Sequence, residues 1–402
     1  MSTMVMKLTA LVGKSRSPGH GECFIWSRSG SDCVIAIDAG GTKSVGKQAA
    51  KHSPQILILS HDDTDHIGGA VSLINAAKKS LTELWVPTEW AILMRQLSES
   101  DPEDPLPTKD ITIDMESLLD EITEKLLASD QGEGLTLSIL KRAEATLAGW
   151  TSSAGSHEDS SIRFSFANDH EDRNGPYGAV NIDEILQRVK KRADALIAIL
   201  KSALRRKIII RFFSIDLALY QNQKDWEREG RPGVATLANA SEAPAAANVY
   251  LPPGLPQAFA ITRLSVQNRR ALCTLLWDEK ASLEQPVIIW SDSDGQWLDV
   301  QSPKGLAKVV ESLVASSAPH HASQNPAHDR IWDELTLAPS SLLLVSAGGQ
   351  HNQKNRKEYL NAGLHRGCTK CRTANPRAVQ QVMVEVPSHG PARLSHTCHT
   401  SH

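Results

Sequence analysis

Ser60-His61-Asp62-Asp63-Thr64-Asp65-His66-Ile67-Gly68-Gly69 decides how this chain is read. It follows Gln55-Ile56-Leu57-Ile58-Leu59, an apolar run that reads as a strand buried on both faces. After it, Val71, Ile74 and Ala77 fall at helical spacing within residues 69–81. His61, Asp62, Asp63, Asp65 and His66 therefore crowd a strand-to-helix turn, and Gly68 and Gly69 let the backbone turn tightly there. Such a turn can aim His61 and Asp63 at one cation and Asp65 and His66 at a neighbouring one. Without a cation, carboxylates and imidazoles held this closely repel one another or stay unpaired. A solvated polar turn with incidental histidines is the plainer alternative.

Residues 6–12, 22–27, 33–37 and 83–86 read as strands, with Gly30-Ser31 as a hairpin turn and Pro87 as a stop. From about residue 89 to 256 the character changes. Residues 115–127 and 183–210 have helical periodicity, the second through Ile185, Val189, Leu196, Ile199 and Leu200. Residues 151–176 are polar and read as loop, and 234–256, rich in Ala, Asn and Pro, as a returning linker. Strand character resumes at 271–277, 286–290, 341–345 and 377–386, with a helix at 305–314 and a loop around Pro319-His320-His321. Strands at both ends around a helical block predict one α/β domain with an insertion. The expected divisions are a core half over 1–90, a mainly helical insertion with a flexible polar loop over 91–256, a second core half over 257–365 and a tail over 366–402.

The pattern His61-x-Asp63-x-Asp65-His66 resembles the His-x-His-x-Asp-His signature of the metallo-β-lactamase superfamily. Asp at the second ligand position is similar to the branch containing the metallo-β-lactamase domain of ComEC-type DNA-uptake proteins. Gly19-His20-Gly21-Glu22-Cys23 and Ala36-Ile37-Asp38-Ala39-Gly40-Gly41 resemble that branch's opening strands. Leu264-Ser265-Val266-Gln267-Asn268, Pro286-Val287-Ile288-Ile289-Trp290-Ser291-Asp292, Pro319-His320-His321-Ala322-Ser323 and Val345-Ser346-Ala347-Gly348-Gly349 resemble its later motifs, in the same order. The chain departs from the pattern at Asn268, where other members carry a His, at Trp290-Ser291 before the Asp, and at Ala322 in place of Gly.

The resemblance implies an αββα sandwich with a large helical insertion, and one or two divalent ions, zinc or manganese. Their ligands would be His61, Asp63, Asp65, His66, Asp292 and His321. Asp292 is preferred to Asp294 as the bridging carboxylate because it comes first after its strand. Asp65 would both hold metal and orient the attacking water, and His320 would steady the leaving or transferring oxygen. The implied reaction is hydrolysis by a metal-activated water, with phosphodiester bonds of nucleic acid as substrate. A carboxylate at position 63 hardens the site, which favours manganese and phosphate oxygens. The alternatives are a metal-poor binding or regulatory subunit, and a hydrolase of small esters or lactones.

Composition narrows the rest. The chain has 402 residues, with 43 basic and 46 acidic side chains and a net charge of -3, which excludes a strongly basic nucleic-acid coat protein. It contains no apolar run long enough for a membrane span and no signal-peptide pattern, so a cytoplasmic protein is expected. The basic helix carrying Arg188, Lys190, Lys191, Arg192, Lys201, Arg205, Arg206 and Lys207 is either a solvated face or a phosphate-backbone contact. The insertion is a candidate docking surface for a protein partner. Cys368, Cys371 and Cys398 make a candidate structural zinc site, against a tail with incidental cysteines, while Cys23, Cys33 and Cys273 read as buried core. His157 and His170 read as loop residues and His20 as structural.

Overall fold

Alternating apolar side chains assemble this chain into two mixed β-sheets with several helices, an α/β architecture. The structure, a computed structural model, describes residues 5–11, 21–30, 33–88, 90, 182–215, 235–242, 271–277, 286–295, 298, 313–322, 328–336, 342–345, 366–369, 381–387 and 391–395. The chain divides into two compact units. The first comprises Met1–Leu106, Arg192–Pro253 and Gln267–His402, and the second Pro107–Lys191 and Gly254–Val266. Of the second unit, only the start of one helix is described.

The first sheet begins as an antiparallel meander of β1 (Val5–Ala10), β2 (Phe24–Arg28) and β3 (Val34–Ile37). It continues in parallel through β4 (Ile56–Ile58), β5 (Glu83–Pro87) and β6 (Ile209–Ile215). The second sheet contains β7 (Ala235–Leu237), β9 (Thr274–Leu276), β10 (Val287–Ile289), β11 (Ala315–Ser317), β12 (Leu342–Val345) and β13 (Arg366–Cys368). From β10 to β13 the pairing is parallel. The strand β8 (Ala240–Glu242) closes one edge of the first sheet. At the other edge, β14 (Val382–Pro387) pairs with β1, and β15 (Arg393–Leu394) lies outside it.

Successive strand residues point to opposite faces, so each sheet offers one apolar row to its neighbour. Trp26, Ile35, Ile37, Ile56, Ile58, Trp85 and Phe213 of the first sheet share one buried cluster with Leu237, Leu276, Val287, Ile289, Ala315 and Leu344 of the second. The intervening residues of the second sheet, Leu275, Ile288 and Leu343, join Ile331, Trp332 and Leu335 of a helix in another cluster. Leu57 is buried as well, so β4 is covered on both faces, as its all-apolar sequence requires.

Five helices are described: α1 (Lys43–Ala50), α2 (Thr64–Ile67), α3 (Ala70–Ala76), α4 (Ile182–Arg205) and α5 (Asp329–Thr336). The Thr42 hydroxyl caps α1 by accepting from the Val45 amide at 3.4 Å. Gly46 lets α1 close on the start of α3: a Cβ there would lie 2.0 Å from the Gly69 carbonyl oxygen. No described helix is long and apolar enough to cross a membrane.

The segment expected as a helical insertion departs from that expectation at its C-terminal part. The helix stops at Arg205, Lys207 takes φ 56°, and the chain enters β6 at Ile209. β6 pairs with β5, and β7 and β8 pair into the two sheets, so the chain rejoins the sheets well before residue 257. The β-branched run Ile208-Ile209-Ile210 suits a pleated strand better than a helix end. In the tail, β13, β14 and β15 are sheet strands. Residues 115–127, 151–176 and 305–312 lie outside the described residues.

Candidate metal centre

The chain crosses from β3 into Asp38, from β4 into Ser60-His61, from β10 into Ser291-Asp292 and from β11 into His320-His321. β3 and β4 are parallel, as are β10 and β11, so each pair delivers its following residues to one end of its sheet. A backbone hydrogen bond from the Leu272 amide to the Ser60 carbonyl (3.0 Å) and a bond from Ser291 Oγ to Asp38 Oδ2 (2.9 Å) join these ends.

Asp38 is the hub. It is wholly buried and accepts from the Ser60 amide at 2.8 Å and from Ser60 Oγ at 2.9 Å, as well as from Ser291. His66 Nδ1 donates to Asp38 Oδ2 at 2.8 Å, and His66 Nε2 lies 3.5 Å from Asp292 Oδ1. Ser60 spends its one hydroxyl proton on Asp38, so His61 Nδ1, 2.9 Å from Ser60 Oγ, is the donor in that pair. His61 Nε2 then faces the site, 3.5 Å from Asp292 Oδ2 and 3.7 Å from Asp63 Oδ2. Partners at Nδ1 thus fix which nitrogen each ring presents, as the hydrogen-bond acceptors behind metal-binding histidines do.

Two groups of side chains bring their ligand atoms close enough to share an ion: His61, Asp63 and Asp292, and Glu22, His66, Asp292 and His321. Asp292 belongs to both, through different oxygens. Asp294 is buried but belongs to neither. His61 Nε2, His66 Nε2, Asp292 Oδ1 and both Glu22 oxygens have no hydrogen-bond partner among the described residues. Buried polar atoms left this way are costly unless a cation takes them up, so this nitrogen and oxygen set fits a divalent ion. Asp65 stands to one side, its Oδ2 3.1 Å from His321 Nε2 and 3.9 Å from His66 Nε2. Asp63 turns its other oxygen to Arg192, 2.5 Å away, so the basic helix α4 delivers one guanidinium here.

His320 and His321 occupy a tight turn, Pro319–Ala322, in which His320, His321 and Ala322 take φ of 44°, 53° and 64°. Residues with a Cβ rarely adopt this left-handed backbone, and all three of these take it without being glycine. The His320 amide donates to the Ser291 carbonyl at 2.9 Å. His328, just before α5, donates from Nδ1 to the Ser293 carbonyl at 2.8 Å, which leaves its Nε2 to accept from His320 Nδ1 at 3.1 Å. His320 Nε2 thereby faces Asp292 Oδ2, 3.7 Å away, outside both ligand groups.

The electrostatics follow from this crowding. Burial and His66 push the His61 imidazole down, yet Asp292 and Asp63 outweigh them and lift it to about 10. Burial opposes charge on His321 too, but Asp65 and Glu22 raise it to about 9. Against the same burial penalty, Asp38, Asp65 and Asp292 hold His66 well above its ordinary range. Burial works to raise Asp292, but the facing imidazoles of His320, His66 and His61 keep it well below the usual carboxylate range. Asp65 and Asp63 are lowered against burial, Asp65 by His66 and His321 and Asp63 by His61 and Arg192. Burial raises Glu22 to about 7 and Asp62 to about 6, and it lowers His320. Imidazoles held cationic by acids are the charge pattern that a bound ion would replace, releasing protons.

Of the residues singled out in the sequence, the structure gathers His61, Asp63, Asp65, His66, Asp292, His320 and His321 at one place. It adds Asp38, Glu22, Arg192 and His328. Asp38 lies within the 36–41 motif and Glu22 within the 19–23 motif; His328 carries no sequence signal, since only the fold brings α5 to the turn. Cys23, Cys33 and Cys273 are buried. Cys371, Cys398, Asn268, His20, His157 and His170 lie outside the described residues, and of Cys368 only the strand backbone is described. Compared with protein-family models and with curated proteins, the chain matches none.

Proposed function

We propose that this chain is a metal-dependent hydrolase of the metallo-β-lactamase type, an αββα sandwich that cleaves phosphodiester bonds in nucleic acid with manganese or zinc. The observation that carries the reading is the shared carboxylate. Asp292 turns one oxygen toward His61 and the other toward His66, with each imidazole locked by a partner at Nδ1. That is the donor set of two adjacent cation sites. The order of motifs along the chain supports the family assignment, including the ComEC-type branch.

A divalent ion held by His61, Asp63, Asp292, His66 and their neighbours would supply Lewis acidity and make water a better nucleophile near neutral pH. The chain's own groups do the remainder. Asp63 and Asp292 supply hard oxygen donors, which favour manganese and phosphate oxygens over a soft, thiolate-rich chemistry. Asp65, hydrogen-bonded to His321, would orient the attacking water. His320, oriented by His328 at Nδ1, faces the same space and would steady the departing oxygen when its Nε2 carries a proton. Arg192 adds a positive charge beside Asp63, where a phosphate would approach.

The test is elemental analysis of the purified protein beside cleavage assays on DNA, RNA and a small lactone, in manganese and in zinc. Nucleic-acid cleavage that disappears in Asp292→Ala and persists in Asp294→Ala is the expected result. Lactone opening without nucleic-acid cleavage would move the reading to small-molecule hydrolysis. Protein that takes up no ion would favour the metal-poor binding subunit.

A further inference from the structure

We propose that Glu22, rather than Asp65, is the carboxylate that holds the second ion together with His66, His321 and Asp292. The inference rests on the hydrolase reading above and specifies one of its ligands. Three observations carry it.

The first is position. Glu22, His66, Asp292 and His321 bring one ligand atom each into mutual reach, and Asp65 is not in that group. The Asp65 carboxylate instead accepts from His321 Nε2 at 3.1 Å and is about one-third exposed (35%). An acid at the rim, held by a ring nitrogen, is better placed to meet a water than to complete a buried donor set.

The second is the state of the Glu22 side chain. It is 1% exposed, and neither of its oxygens has a hydrogen-bond partner among the described residues. Among the described residues its ion-pair contact is His321 Nδ1, 4.0 Å away and beyond hydrogen-bond reach. A carboxylate buried without donors costs several kcal/mol unless it meets a cation. His66 Nε2 and Asp292 Oδ1, in the same group, also lack partners among the described residues.

The third is how firmly the backbone aims Glu22. Its amide donates to the Asp65 carbonyl at 2.9 Å, and its own carbonyl accepts from the Gly40 amide at 2.8 Å. This approach requires Gly21, which has φ +67°; a Cβ there would fall 1.7 Å from the Asp65 carbonyl oxygen. The Gly-Glu pair thus locks the start of the first hairpin onto the metal-motif turn and sends the carboxylate inward. A glutamate with only a packing role would need neither that approach nor a polar head group.

The experiment is manganese binding by wild type, Glu22→Gln and Asp65→Asn, read by elemental stoichiometry and by electron paramagnetic resonance. Wild type is expected to hold two ions with the broadened signal of an exchange-coupled pair. Glu22→Gln is expected to hold one ion tightly, with an isolated six-line signal and the second ion weakened at least about 10-fold. Asp65→Asn is expected to keep the coupled pair while losing turnover. The amide variant should fold, because it removes a buried, donor-less carboxylate. Its metal-free melting temperature at pH 8 is expected at or above that of wild type, and its gain on adding manganese to be smaller. Glu22→Gln that retains the coupled pair, or whose metal-free form melts well below wild type, would overturn the ligand assignment and leave the hydrolase reading standing. Loss of the pair in Asp65→Asn with retention in Glu22→Gln would also overturn it. Wild-type protein that takes up no ion would overturn both.

Discussion

Asp38→Asn isolates one consequence of the site's construction. Asp38 accepts from the Ser60 amide and hydroxyl on one side and from His66 Nδ1 and Ser291 Oγ on the other. Asparagine keeps one oxygen for Ser60 but presents an NH2 where Oδ2 met His66 and Ser291. The Ser291 hydroxyl can rotate to accept. In the neutral ring, His66 Nδ1 can accept only by moving its proton to Nε2, and that nitrogen then faces Asp292 as a donor, not as a ligand. Loss of such an orienting partner costs about 10- to 100-fold in metal affinity, roughly 1.4–2.8 kcal/mol. The metal-free fold should lose less than an unpaired buried charge would cost, about 1–3 kcal/mol, because Asp65 and Asp292 still face the imidazole. Manganese titration calorimetry, thermal unfolding with and without ion, and nitrogen-15 spectra of the imidazoles read the three effects separately. Unchanged metal affinity together with a normal His66 tautomer would refute the reasoning.

Metal-free protein should lose stability as pH rises. His61 and His321 are raised to about 10 and about 9, so their contribution is complete below pH 6.5 and lost through those values; Glu22, raised to about 7, acts in the same direction. Melting of chelator-treated protein at pH 6.5, 8 and 9.5 checks this, and a flat or rising series contradicts it. Arg192→Gln removes a cation that helps keep Asp63 ionised. Manganese affinity should then fall more at pH 5 than at pH 8, which isotherms at both values would register; an unaltered ratio argues against the pair. Gly46→Ala drives a Cβ to 2.0 Å from the Gly69 carbonyl oxygen, a backbone clash that only a shift of α1 against α3 relieves. A loss of about 1–3 kcal/mol by denaturant unfolding is expected, with weaker metal binding because Gly69 closely follows His66; wild-type stability would mean that the helices slide freely.

The strand, turn and helix around residues 55–76 were legible because period, glycine placement and ligand spacing all agree there. The strands at 274–276, 287–289 and 342–345 were legible as short apolar runs. β6 was hidden because Leu196, Ile199, Leu200 and the following isoleucines continue one apolar pattern, and only the backbone reversal at Lys207 separates helix from strand. β7 and β8 are three residues each, and a stretch rich in Ala and Asn reads as linker at that length. In the site, the motif histidines and aspartates, which the structure brings together, could be picked out by their spacing, but their partners could not. Asp38 follows a strand like many capping acids do, and nothing local reveals that two sheets converge on it. His328 reaches His320 only through the packing of α5 on the second sheet.

The same end of both sheets collects two kinds of cost that a fold selected for stability alone would avoid. Asp38, Ser291, His320, His321 and Ala322 all take positive φ without being glycine. Beside them lie buried nitrogen and oxygen atoms with no partner among the described residues, on Glu22, His61, Asp62, His66 and Asp292. Strained backbone of this kind persists where surrounding structure over-determines it, and it gathers at functional sites. Here Ser291 reaches across to Asp38, and the His320 amide is tied back to Ser291. The strain therefore turns Asp292 and the histidine pair inward to meet the residues after β3 and β4. Because the two halves of the donor set come from different sheets, any group that bridges them also clamps the sheets together. The strand ends already bring the ligand atoms of Glu22, His66, Asp292 and His321, and those of His61, Asp63 and Asp292, into mutual reach, so an ion bound there would find its donors assembled.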